Sequence, residues 1–180
     1  RAAPSAVDTG DAPALHWDGA VDDRLVDPLG GAVVFASGAA LEHQALLPLL
    51  DPGEMGHVAR TWKQVCDKLA AAQPMRLARS LPTDVQAALQ QAADYPALFA
   101  MAFGDPAITP VRIARAIAAY ERTLRSDASP WDRFVAGDLT ALDSAQLRGW
   151  RLFEGKAGCA ACHPAPTFTD HAYHDLGLRP

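Results

Sequence analysis

The stretch GKAGCAACHPAPTFTD, residues 155–170, holds the residues best suited to chemistry. Cys159 and Cys162 stand two residues apart and His163 follows at once, in a chain with only three cysteines. Each thiol of such a pair can add across one vinyl group of a haem, and the adjacent imidazole can then ligate the iron, which is the pattern of c-type haem attachment. The other chemistries that cysteine pairs serve need features that the sequence lacks. A zinc site takes four ligands, and no second pair is present; Cys66 could join only through the fold. A redox-active dithiol belongs to a βαβ setting, which the pattern here does not suggest. The helix closed by glycine just before the motif, and the apolar Leu152 and Phe153 within it, favour haem further. Such attachment takes place outside the cytoplasm, so the motif implies a periplasmic location.

The elements that must position this motif read as mainly helical, with short helices and long loops. The first 40 residues are rich in Asp, Gly, Pro and Ala, with GAVVF as at most a short extended segment. LEHQALLPLL has helical apolar spacing and ends at DPG. In EMGHVARTWKQVCDKLAAA, the residues Val58, Trp62, Val65 and Leu69 form one apolar stripe. LPTDVQAALQQA predicts a helix with Thr83 as its cap, and DYPALFAMAFGD one that opens near Pro96 and closes at Gly104. TPVRIARAIAAYERTLRS predicts the clearest helix, capped by Thr109, with Ile113, Ile117, Tyr120 and Leu124 facing inward. SPWDRFVAGD repeats the Ser-Pro opening and stops at Gly137, and the last helix carries Leu147, Trp150 and Phe153 on one side.

A chain of 180 residues can form one domain or two small ones. With 49% hydrophobic and 21% charged residues it has a globular balance, and its net charge of −5 argues against an electrostatic grip on nucleic acid. The most apolar run, GGAVVFASGAAL, is too short and glycine-rich to span a bilayer. The chain begins with Arg1, so we expect a removed leader or a piece of a longer protein.

Several stretches together resemble the bacterial di-haem cytochrome c peroxidases and their MauG-like relatives: HWDGA, LEHQALLPLLDPGEMG, YPALFAMAFGD, ITPVRIARAIAAYERTLRS, the approach to CAACH, and PTFTDHAYHDLG. The resemblance covers about nine tenths of the chain. It implies cytochrome c-like helical domains, with residues 1–105 closing the peroxidatic one and 106–180 opening the electron-transfer one. It also implies two haem c groups in the full protein. The single motif here accounts for one of them, so the chain is expected to be an internal fragment or a reduced single-haem relative. About 20 residues separate HWDGA from LEHQAL, more than the family pattern has.

By the same resemblance, Glu54 is the carboxylate that moves the proton during peroxide cleavage and Gln44 its hydrogen-bonding partner. Trp17 lies between the two haems as an electron relay. Read from the residues alone, Glu54 is a first-turn helix residue that favours the dipole. His163 is the iron ligand, whereas His171 and His174 lie near a propionate or serve structure. His16, His43 and His57 are surface or core residues. Met55 belongs to a pocket wall, and Met75 and Met101 to the core. Trp62, Trp131 and Trp150 are packing residues, and Cys66 is a buried free thiol. The activity implied is reduction of hydrogen peroxide with electrons from a small periplasmic cytochrome c or copper protein, with calcium as a further cofactor. MauG-like oxidation of a protein substrate, or a plain mono-haem electron carrier, are the alternatives, and the fragment alone is expected to be inactive.

Overall fold

The computed structural model describes residues 5–175 and 177, which form seven α-helices, one 3-10 turn and two small β-ribbons. The ribbons lie in the stretch that reads as irregular from sequence. β1 (Ala14–Leu15) pairs antiparallel with β2 (Val21–Asp22), and β3 (Leu25–Val26) with β4 (Val33–Phe35), the latter with a bulge. Sequence periodicity misses them because strands of two or three residues are too short to alternate. They are fixed from outside, since Val21 and Leu25 are fully buried beneath the helices.

The helices follow as α1 (Ala40–Leu50), α2 (Trp62–Ala71), α3 (Thr83–Gln91), α4 (Tyr95–Phe103), α5 (Pro110–Glu121), α6 (Pro130–Val135) and α7 (Ser144–Glu154). Thr109 caps α5 through the Arg112 amide, Ser129 caps α6 in a capping box with Asp132, and Gly104 closes α4 in the left-handed conformation, all at the positions the sequence predicts.

Several expectations are corrected, among them the core placement of Met75 and Met101, which are 53% and 55% exposed. The stripe from Val58 does not hold: α2 begins only at Trp62, and Val58 is 83% exposed. Ala59 adopts φ 62°, which breaks the helix, and a capping box between Thr61 and Gln64 restarts it. Thr83 is the first residue of α3 and makes no cap hydrogen bond; Pro82 takes the cap position. Tyr120 is exposed, and the inward face of α5 is built instead from Ile113, Ala114 and Ala118. The small side chains let α5 lie close against α1.

That contact organises the core. Leu25, Ala39, Ala45, Leu46 and Ala114 form one buried cluster, and Val65, Phe99 and Ile113 a second, with Trp62 and Ile117 packed against both. Beyond Ala118 the described hydrophobic residues are at most half-buried. There the packing is aromatic: Trp131, Phe134, Trp150, Phe153 and Phe168 form a chain of rings with neighbouring centroids 4.1 to 6.0 Å apart.

Candidate functional site

α7 delivers the cysteine motif. Asp143 accepts hydrogen bonds from the Ala145 and Gln146 amides at its start, and Gly155 ends it. Gly158, at φ 70°, turns the chain into a 3-10 turn over Cys159–Ala161. The His163 amide donates to the Cys159 carbonyl at 3.0 Å, so the cysteines and the histidine share one tight turn. Both thiols are free.

The His163 ring is fixed as well. Its Nδ1 lies 3.0 Å from the Phe168 carbonyl oxygen, which can only accept, so Nδ1 is the donor and the neutral ring presents its lone pair at Nε2. A metal-ligating imidazole characteristically donates its other N–H to such a carbonyl. Phe168 reaches this position with φ 56°, and its ring packs against Trp131, Trp150 and Phe153. The Phe153 ring stands 6.5 Å from that of His163. Trp131 Nε1 is buried with no acceptor among the described residues, leaving an unused donor within the same cluster.

Two further groups lie beside Cys162 of the motif. Cys162 Sγ and one ligand atom each from Asp170 and His174 lie within 4.8 Å of one another, all three residues exposed. His174 Nε2 is 2.9 Å from Asp170 Oδ2. The Ala172 amide first, and then His174, hold the Asp170 carboxyl below the usual carboxylate range. The Cys162 thiol is the one that haem attachment would consume, which removes it as a ligand for any other metal.

A second locus lies on the ribbon side. A cavity of about 370 Å³ is lined by His16, Trp17, Leu41, Gln44 and Glu121 together with residues of the N-terminal segment. Trp17 occupies the turn between β1 and β2 and is 91% exposed. Gln44 is half-buried on α1. Trp17 and Gln44 therefore line the same cavity.

Glu54 is placed elsewhere. It sits not in a helix but in the loop between α1 and α2, exposed, and is not among the residues lining this cavity. The loop is tightly tied. The Met55 amide donates to the Pro48 carbonyl at 3.2 Å, Gly56 to Asp51 at 2.8 Å, and Arg60 Nη1 to the Met55 carbonyl at 2.7 Å. A Cβ on Gly56 would come within 2.5 Å of the Leu50 carbonyl group, so this close return needs glycine. Met55 is 63% exposed on the same loop.

Residues 1–140 match the family described as di-haem cytochrome c peroxidase. The chain belongs to the di-haem cytochrome c peroxidase family. It is 33% identical over 180 residues to the methylamine utilization protein MauG of Methylophilus methylotrophus, covering 99% of this chain and 42% of that protein. Similarity to the cytochrome c551 peroxidase of Nitrosomonas europaea is 27% over 176 residues, 98% of this chain and 40% of the relative. A shorter stretch of 66 residues, 36% of this chain and 17% of the relative, is 58% identical to the cytochrome-c peroxidase IdrP1 of Pseudomonas sp. (strain SCT). The chain thus spans about two fifths of the MauG and cytochrome c551 peroxidase relatives. Membership implies haem c, and the Cys159–His163 turn is chemically suited to hold it.

Among the other expectations, Cys66 is a free thiol, half-buried on α2, and burial pushes it up from the ordinary thiol range, with Asp67 adding to the effect. His43 Nδ1 lies 2.9 Å from Asp22 Oδ1, a structural pairing. Sequence reading misses three residues that shape the sites. Phe168 orients His163, Glu121 lines the cavity, and Tyr173 bridges the two halves. The Tyr173 hydroxyl donates to the His16 carbonyl at 3.2 Å, and its ring lies where a Cβ on Gly19 would come within 2.8 Å. The turn that holds Trp17 is thereby fastened to the segment after the haem motif. No helix among the described residues is long and apolar enough to cross a membrane.

Proposed function

We propose that this chain is part of a haem c peroxidase that reduces hydrogen peroxide in the periplasm with electrons from a small redox protein, a cytochrome c or copper protein. The observation that carries the reading is the His163 ring, held at Nδ1 by the Phe168 carbonyl and free at Nε2, one residue beyond a pair of free thiols. Cys159 and Cys162 would form the two thioethers and His163 would ligate the iron through Nε2. Trp131 Nε1 is a donor suited to an anionic group of the cofactor, and the half-buried ring cluster supplies the apolar wall. When bound, the haem supplies a redox-active iron that stores and passes single electrons.

The chain's own residues then divide the remaining work. Tyr173 holds the Trp17 turn beside the segment after the motif, which supports Trp17 as a relay between that haem and a second one in the full protein. Gln44 offers an amide to a small polar guest in the cavity. Glu54, fixed on its tied loop, is the carboxylate proposed to move a proton during peroxide cleavage. Two cytochrome c-like units, residues 1–105 and 106–180, belong to this reading, and the α1–α5 core joins them across that boundary. Calcium is a further cofactor proposed for the full protein.

Similarity to MauG over nearly the whole chain favours a second reading, oxidation of a protein substrate by the same haem pair. A plain mono-haem carrier is disfavoured, because it needs neither Gln44 nor Glu54.

Expression of the full-length protein with a haem c maturation system tests the proposal. Denatured material should keep one covalent haem at this motif. C159A together with C162A should lose it, and E54Q should keep it while peroxide turnover falls by about a hundredfold or more. A denatured protein free of covalent pigment would sink the reading.

A further inference from the structure

We propose that Glu121 is a proton donor to the cavity lined by Trp17 and Gln44, offering a carboxylic O–H at Oε1 to a small neutral guest such as water or hydrogen peroxide. Glu121 ends α5 and lines that cavity, yet its Oε2 is shut from solvent and accepts no hydrogen bond among the described residues. A buried carboxylate oxygen with no donor is costly when charged, and the neutral acid avoids most of that cost. Protonation at Oε1 leaves Oε2 as an uncharged carbonyl oxygen, the least costly state for an atom without a partner. The proton is then on the oxygen free to serve the cavity.

The surroundings agree. Burial is the main cause that pushes the Glu121 carboxyl up; Arg122 opposes this and Glu42 adds to it. The Arg122 guanidinium is itself engaged elsewhere. Both its terminal nitrogens are taken by Glu42, at 2.6 and 2.8 Å, so its charge is already matched. The remaining titratable group on the cavity wall is His16 of the β1–β2 turn. Glu121 therefore keeps its proton into a pH range where exposed carboxylates have lost theirs.

This differs from the role given to Glu54, which lies on another loop. Only the identity of the guest rests on the peroxide reading.

The test is isotope-edited infrared spectroscopy on the full-length, haem-loaded protein with labelled glutamate. One protonated carboxyl band should persist above the pH at which exposed carboxylates ionise, shift in D2O, and vanish in E121Q while remaining in E54Q. Below the midpoint of that band, kcat/KM for hydrogen peroxide should fall about tenfold in E121Q, and the two proteins should converge above it. Convergence marks peroxide as the guest. A band that shifts in D2O with a pH-independent difference in turnover marks water alone and overturns the donation to peroxide. Should E121Q not fold, the wild-type titration decides: no glutamate that keeps its proton above the exposed set overturns the inference. Loss of all turnover with the band intact would count against the peroxide reading and leave the protonated Glu121 standing.

Discussion

Arg122 grips Glu42 through two hydrogen bonds, Nη1 to Oε1 at 2.6 Å and Nη2 to Oε2 at 2.8 Å, across 80 positions of sequence. Glu42 is only 6% exposed. The pair ties the start of α1, which carries Gln44, to the end of α5, which carries Glu121. Removing one member leaves a buried charge without its counterpart. R122A is expected to lower unfolding free energy by about 3 kcal/mol in urea titration. An R122L/E42L double variant should lose clearly less, because neither charge is left stranded. Equal losses in the two variants would show that packing, not the charge pair, carries the contact.

Gly19 and Tyr173 form the fastening between the Trp17 turn and the haem-motif segment. Gly19 has φ 69°, and an added methyl would meet the tyrosine ring. G19A should cost about 1–3 kcal/mol and free the Tyr173 segment to faster hydrogen exchange. Y173F keeps the ring and loses only the bond to the His16 carbonyl, so its cost should stay near 1 kcal/mol. Unchanged exchange around residue 173 in G19A would refute the link.

Phe168 combines a left-handed backbone with a ring that packs against Trp131, Trp150 and Phe153. F168A loses the ring and keeps the unfavourable backbone, for a loss of about 2 kcal/mol at this half-buried site. F168G loses the same ring but suits the conformation, so it should be more stable than F168A by about 1 kcal/mol. The order of their thermal midpoints checks this.

Asp105 bonds Arg112 through both carboxylate oxygens, at 2.6 and 2.5 Å, and the Ala107 amide also donates to it. These bonds, that from Arg112 foremost, hold its carboxyl down at about 2 against 3.8. A depressed acid contributes stability above its unfolded value and loses it as pH falls through the folded one. The gap in thermal midpoint between wild type and D105N should thus be constant above pH 3.8 and close as pH drops towards 2. Because both groups are reached by solvent, salt should narrow the gap at any pH.

The parts of this molecule governed by local chemistry are readable in one dimension. Thr109, Ser129 and Gly104 act where their positions suggest, because a cap needs only its own neighbours. The cysteine turn is legible for the same reason. What escapes is set by distant contacts. Val21 and Leu25 are held in strands by burial under helices that come later. Tyr120 has the right spacing for a core residue, yet Ala114 and Ala118 win the face because α1 lies too close for a larger ring. Glu121 and Tyr173 look ordinary in sequence, and only folding places one on a cavity wall and the other against Gly19.

Asp23 receives the Gly38 amide at its carboxylate and the Ala39 amide at its carbonyl, both at 2.8 Å. The neck of the β3–β4 excursion is thereby pinched shut where it leaves and rejoins the body. A segment closed in this way can lengthen or shorten at its exposed tip, residues 28–37, without tugging on α1, whereas Leu25 at its base stays locked in the core beside Ala45 and Leu46.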